Sequence, residues 1–192
     1  MDIEPLAIAD VKLIRPKKHG DERGFFSEVF REELFARHGI GGAFVQDNQV
    51  YSANRGVLRG LHFQKPPNAQ GKLVRCVHGA ILDVAVDIRA GSPTYGQHVT
   101  AEISADNWAQ IWVPPGFAHG YVTLEPDCQI IYKVTTYYAP ASETGIAWDD
   151  PDLGVDWRLT GADLVMSEKD RHNPRLAEII TPFDYPAMAS PA

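Results

Sequence analysis

The sequence predicts a mainly β protein, an antiparallel barrel or jelly roll, on three observations. Short runs rich in Val, Ile, Leu and aromatic residues recur through the middle of the chain, each bounded by Gly, Pro, Asn or Asp. About eight such runs follow one another with no long helical pattern between them. Within one of them, Ile81–Ile88, the residues alternate. Leu82, Val84, Val86 and Ile88 share one face of an extended chain, and Asp83, Ala85 and Asp87 share the other.

The candidate strands, in order, are Ala43–Tyr51, Val57–Gln64, Leu73–His78, Ala80–Ile88, Gly96–Ile103, Gln110–Val113, Gly120–Leu124 and Gln129–Thr136. Helix is sparse. Arg31–His38 is one short candidate, with Gly39 as its stop. A second begins at Ser167, where Ser-Glu-Lys-Asp offers an N-cap and an acid three residues on. At 192 residues the chain fits one domain, 1–192, large enough for a substantial core, with a tail expected to fray from about residue 184. No low-complexity tract, internal repeat or linker-like change of composition interrupts it.

Charge narrows the partners. A net charge of -7, with 44% hydrophobic and 22% charged residues, fits a soluble globular protein and disfavours nucleic acid. A phosphate-bearing ligand stays open, because it needs only a few local Arg and Lys. Met1–Lys18 holds no apolar run of signal-peptide or membrane-span length, so no membrane partner and a cytoplasmic location are expected. Cys76 and Cys128 lack the spacing of a metal or redox pair and read as reduced, buried thiols.

Three stretches are chemically dense. Gly56–Gln64 carries Arg59, His62 and Gln64 on one strand. Arg59 and His62 fall on opposite faces of an ideal strand, so both reach one ligand only across a bulge, which Gly60 makes plausible. Pro114–Gly120 sets a turn directly before His119, a P-x-G-x-x-H pattern that in cupin-type barrels commonly supplies a metal ligand. Such a metal site also needs an H-x-H pair with a Glu shortly after it; here His62-Phe63-Gln64 stands there, and Lys72 follows in place of a Glu. A cation beside a divalent metal repels it, so no metal is expected. In the third stretch, Gln70–Cys76, Lys72 shares its face with the apolar Val74 and Cys76. That parity turns Lys72 inward, ready to meet an oxyanion, rather than out into water. His19, His38, His78, His98 and His172 read as ordinary.

These stretches belong to a longer series: Gly20–Phe30 (GDERGFFSEVF), Phe44–Asn48, Gly56–Gln64, Asn68–Cys76, Asp83–Arg89, Ser92–Gln97, Pro114–Tyr121, Tyr132–Pro140, Trp148–Trp157 and Met166–Asp170. In this order, from about residue 3 to about residue 180, the chain resembles the dTDP-4-dehydrorhamnose 3,5-epimerase family. The resemblance implies a cupin-like jelly roll, a homodimer, and catalysis without cofactor or metal. It implies conversion of dTDP-4-dehydro-6-deoxy-glucose to dTDP-4-dehydro-rhamnose on the route to dTDP-L-rhamnose. Carried over by residue, it makes His62 the proton-abstracting base, held by Asp170, with Lys72 stabilising the enolate and Tyr132 acting as acid. It puts ligand contacts at Arg23, Phe26, Glu28, Gln46, Asn48, Arg59, His119, Tyr138, Glu143 and Lys169, the first three reaching the site of a partner subunit.

That chemistry suits these residue types. A hydrogen on C3 or C5 of a 4-keto sugar is acidic because its carbanion delocalises onto the C4 oxygen. A histidine takes it near neutral pH, and a carboxylate on the second ring nitrogen fixes the tautomer. The enolate needs a cation, the opposite face needs a group still protonated at pH 7, a diphosphate suits the guanidinium forks of Arg23 and Arg59, and thymine suits an aromatic surface such as Phe26 or Tyr138. Blander roles stand beside these: Asp170 as the capping acid of the Ser167 turn, Tyr132 as a core aromatic, His119 as a structural residue. The rival functions are a C3-only or C5-only epimerase, a 3,4-ketoisomerase, a non-catalytic sugar-nucleotide sensor and a metal-dependent cupin oxygenase.

Overall fold

The structure is a computed structural model, and it describes residues 1–185 of the chain. In order the elements are β1 (Asp2–Pro5), β2 (Lys12–Arg15), β3 (His19–Asp21), β4 (Gly24–Phe26), α1 (Glu32–Arg37), β5 (Gln46–Ser52), β6 (Leu58–Gln64) and β7 (Lys72–His78). They continue with β8 (Ala80–Asp87), β9 (His98–Ser104), β10 (Gln110–Val113), β11 (Phe117–Thr123), β12 (Cys128–Val134), β13 (Glu143–Gly145) and α2 (Glu168–Arg171). Two antiparallel sheets face each other, ordered β1-β2-β10-β7-β12-β5 and β13-β6-β11-β8-β9, and β3-β4 form a separate hairpin. This is the jelly-roll arrangement expected from the sequence.

Apolar side chains fill three layers. Between the sheets lie Val74, Cys76, Ile111, Val113 and Ile130 from one side and Ile81, Ala85, Val99, Ile103 and Phe117 from the other. Outside the six-stranded sheet, Ile14, Leu73 and Trp112 pack under Phe35 of α1 and Ile40. Outside the five-stranded sheet, Leu82, Val84, Val86 and Ile88 are fully buried against Ile146, Leu153, Trp157, Leu164 and Leu176 of the C-terminal segment. Each of those aliphatic side chains contributes about 1.5–3 kcal/mol relative to remaining exposed.

The alternation of β8 thus has an unexpected sense. Its continuous apolar face points away from the barrel, and the face of Asp83 and Ala85 points in. The barrel interior therefore keeps room for polar groups, while the dry layer forms under the C-terminal wrap. Asp87, at the end of β8, accepts from Arg89, Ser92 and Thr94 and so closes the following loop. Arg89 stacks over Phe117 and Tyr185.

Several expectations need adjustment. The strand expected to begin at Gly120 begins at Phe117, so His119 sits inside β11 rather than at its start. The strands β1 to β4 and β13 carried no signal in the sequence, being short and largely polar or exposed. The Arg31–His38 helix is Glu32–Arg37, with Arg31 and His38 as its caps and Gly39 at φ +74° where the chain leaves it. Of the tail expected to fray from about 184, Asp184 pairs with Ala90 and Tyr185 donates to the Ala90 carbonyl at 2.8 Å. Residues 186–192 lie outside the described residues.

Candidate active site

A cavity of about 510 Å³ opens between the sheets, walled by β6, β7, β11 and β12 and by the Val165–Asp170 segment. It gathers His62, Lys72, Tyr132, Asp170, Arg59, His119, Tyr138, Glu143 and Lys169.

The bulge on β6 decides which side chains enter it. His62 pairs with His119 and Arg59 pairs with Tyr121, so Gly60 and Leu61 stand opposite Gly120 alone. That extra residue switches the parity. Leu58, Leu61 and Phe63 enter the outer apolar layer, while both Arg59 and His62 line the cavity. Gly60 holds φ at +134°, and a Cβ there would lie 2.5 Å from the Cα of Gly120, so both conformation and space require glycine.

His62 Nε2 lies 2.5 Å from Asp170 Oδ1. Asp170 is 4% exposed and comes from the short helix α2, where the Ser167 hydroxyl caps its backbone N–H at 3.2 Å. The acid of the predicted cap therefore turns its carboxylate to His62. Burial opposes that carboxylate's charge, but hydrogen bonds from His62 and Ser167 outweigh it, and the Asp170 pKa lies below the ordinary value. An ionised Asp170 accepts the Nε2 proton, which leaves Nδ1 with its lone pair free.

Lys72 Nζ donates to the His62 carbonyl at 3.4 Å. Burial lowers its pKa to about 8, against the opposing pull of Asp83 and Glu143. The inward direction read from Val74 and Cys76 holds, since both stand in the layer between the sheets. Tyr132 pairs with Val74 on one side and Asn48 on the other, and burial raises its pKa, keeping the phenol protonated.

At the mouth, Glu143 Oε2 accepts from Lys169 Nζ at 2.6 Å and from the Tyr138 hydroxyl at 2.8 Å. These bonds outweigh the burial that would raise its pKa, and the carboxyl is held below the usual value. Gln46 and Asn48 lie beside this rim on β5: Gln46 Oε1 accepts from the Tyr138 backbone N–H at 3.0 Å and its amide donates to Asn48 at 2.8 Å. Gln64, where a metal-binding barrel would carry its second histidine, is spent on the loops. Its amide donates to the Asn68 carbonyl at 2.7 Å and accepts from the Ala139 N–H at 2.7 Å.

Besides Gln46 and Asn48 at the rim, three expected contacts stay outside this cavity. Arg23 pairs with Asp21 and Glu28 with Arg31, while Phe26 is 72% exposed on the β3-β4 hairpin. One participant had no role in the sequence reading. Asp83 is fully buried, and both its oxygens lie 2.9 Å from His119 Nε2. Its signal was an acid on the small-residue face of an apolar strand. His38, His78 and His172 bond backbone carbonyls, as ordinary histidines do.

The family model described as dTDP-4-dehydrorhamnose 3,5-epimerase matches residues 5–178. The chain belongs to the dTDP-4-dehydrorhamnose 3,5-epimerase family. It is 54% identical to the Sinorhizobium fredii protein of that name over 96% of this chain and 94% of the relative. It is 49% identical to the Salmonella typhimurium one over 91% and 94%. Among solved structures, it is similar to a dTDP-6-deoxy-D-glucose-3,5-epimerase from Legionella pneumophila in complex with dTDP-4-keto-L-rhamnose. The TM-score there is 0.92 and the identity 44%, covering 97% of this chain and 99% of that one. As a member of this family the chain is an isomerase, and the epimerase motifs quoted from the sequence span both walls of the cavity and the α2 segment behind His62.

Proposed function

We propose that the protein inverts C3 and C5 of dTDP-4-dehydro-6-deoxy-glucose to give dTDP-4-dehydro-rhamnose, as a step towards dTDP-L-rhamnose. The observation that carries this is the His62–Asp170 pair, opening on the same cavity as Lys72 and Tyr132. His62 Nδ1 takes the proton from the carbon beside the ketone, and Asp170 stabilises the imidazolium. Such a base contributes about 10²–10⁴-fold in rate. The Lys72 ammonium meets the charge that develops on the C4 oxygen, in a pocket where that interaction is not spread into water. Tyr132, protonated by virtue of its burial, returns a proton from the opposite face.

Arg59 holds the diphosphate, and Tyr138 offers the thymine an aromatic face at the rim, with Glu143, Lys169, Gln46 and Asn48 around it. His119, fixed by Asp83 through Nε2, presents Nδ1 to the sugar. Arg23, Phe26 and Glu28, away from this cavity in their own chain, serve the site of a second copy, so the working unit is a homodimer. The protein needs neither cofactor nor metal for this chemistry and works in the cytoplasm. Among the described residues no helix is long and apolar enough to cross a membrane.

Incubation with dTDP-4-dehydro-6-deoxy-glucose in D₂O, followed by NMR, tests the reading. Deuterium enters at C3 and C5, and His62→Ala abolishes both. Exchange at one carbon only makes the protein a mono-epimerase; a shifted ketone makes it a ketoisomerase; no exchange removes the assignment.

A further inference from the structure

The cavity wall holds a second phenol that the mechanism leaves unused. Tyr121 lines the cavity from β11, two residues beyond His119, on the same inward face. It stands in one cross-strand row with Arg59 of β6 and Asp83 of β8. The residue is only 5% exposed, and its hydroxyl is buried with no hydrogen-bond partner among the described residues. Of its two row neighbours, the one that could accept is committed elsewhere: Asp83 gives both oxygens to His119.

A buried hydroxyl without a partner costs the protein stability, and such a group calls for an explanation at its site. Cys76 and Cys128, also buried in this layer, do not raise the same question, because each thiol reaches backbone carbonyls. Among the described residues lining the cavity, Tyr121 is the one whose side chain holds a buried, unpaired donor, and it stands between the guanidinium that holds the diphosphate and the aspartate that fixes His119. Burial raises its pKa well above the ordinary tyrosine value, so it remains a neutral donor throughout the working range. The diphosphate, a strongly hydrated anion, belongs near Arg59, which is exposed, rather than at a site closed to water.

We propose that the Tyr121 hydroxyl donates a hydrogen bond to an oxygen of the hexose, making it a positioning residue that recognises the sugar rather than the nucleotide. This rests on the nucleotide-sugar reading of the cavity. A site with a buried donor is satisfied only by a ligand that brings the acceptor, so the contact adds sugar specificity as well as affinity. The hydroxyl is then an orphan in the free protein and is satisfied in the complex.

Tyr121→Phe removes the oxygen and keeps the ring. Two probes separate the parts of the ligand: dTDP, and dTDP-glucose, whose C4 carries no ketone and which therefore binds without reacting. Calorimetry should find dTDP binding within twofold of the parent. For dTDP-glucose it should find binding about 3- to 10-fold weaker, the size of one net hydrogen bond. The free variant should melt at or above the parent temperature, because an unpaired donor has gone. Equal loss for both probes would put the contact on the diphosphate and overturn the assignment. So would unchanged binding of both together with a lower melting temperature, which would make the hydroxyl a structural group bonded to trapped water. A parent protein that binds neither probe would sink the nucleotide-sugar reading itself, and this proposal with it.

Discussion

His62 and His119 are register partners on adjacent strands, yet each is held by a different carboxylate: His62 by Asp170 at 2.5 Å and His119 by Asp83 at 2.9 Å. The two pairs differ in setting. The His62 side chain is 24% exposed and its aspartate comes from the C-terminal segment. The His119 pair is sealed, at 8% and 0%, with the aspartate on the neighbouring strand. The first ring is partly open to solvent, while the second is fixed in the wall with only Nδ1 left uncommitted. Substitutions should separate these roles. Asp170→Asn disturbs the tautomer of the base and should lower kcat by about 10²–10⁴-fold. Asp83→Ala orphans a buried ring nitrogen and should cost about 1–3 kcal/mol of stability in urea unfolding. A fully active Asp170→Asn enzyme would remove Asp170 from the mechanism.

Lys72 is expected to trade stability for rate. Its folded pKa, about 8, lies below the ordinary 10.5. The folded protein therefore releases this proton first as pH rises. The burial penalty is present in full below pH 8 and is relieved between about 8 and 10.5. Lys72→Met should accordingly melt higher than the parent at pH 7, with the gap closing as pH rises. Its turnover should fall by about 10²–10³-fold. In the parent, a rate that needs the ammonium should decline as pH passes 8. Thermal scans and a pH–rate profile check both, and a Lys72→Met variant that melts lower at pH 7 would contradict the buried charge.

The bulge can be tested at a single atom. Gly60→Ala places a Cβ 2.5 Å from the Gly120 Cα and 2.9 Å from the His119 carbonyl oxygen, at a φ of +134°. The conformation alone costs about 1–3 kcal/mol. Relief by straightening β6 would turn either Arg59 or His62 out of the cavity. We expect lower stability and loss of epimerisation together, whereas a stable variant with parental kcat/KM would show that the bulge is not needed.

The exposed hairpin leads to a complementation experiment. Arg23→Ala lacks the proposed arm contact but keeps the base; His62→Ala lacks the base but keeps the arm. If arms reach across a dimer, mixed dimers regain one complete site, and activity should reappear when the two inactive proteins are unfolded and refolded together. No recovery, with dimers present by light scattering, would confine Arg23 to its own chain.

Some of this site can be read from the chain directly and some cannot. The inward turn of Lys72 follows from the apolar parity of Val74 and Cys76. The joint presence of Arg59 and His62 in one cavity needed a bulge, and Gly60 marked where it falls. Asp83 was not readable as a partner of His119, because an acid alternating with small residues equally suits a solvent face. Its role depends on which face of β8 the C-terminal segment covers. Tyr121 did carry a signal, sharing the parity of His119 in the Pro114–Tyr121 motif. The strands from Asp2 to Phe26 were missed because they are only three or four residues long and, β2 apart, mostly exposed, so no period can register.

The carboxylate that holds His62 lies 108 residues beyond it in the chain. During synthesis both sheets can therefore be complete, with His62, Lys72 and Tyr132 already facing one another, before Asp170 has left the ribosome. The layer that Leu153, Trp157 and Leu164 form on the outer face of β8 carries the α2 turn into place. The His62–Asp170 pair is thus among the last contacts of the fold to assemble, and a chain cut short before Asp170 would leave the His62 ring without its carboxylate.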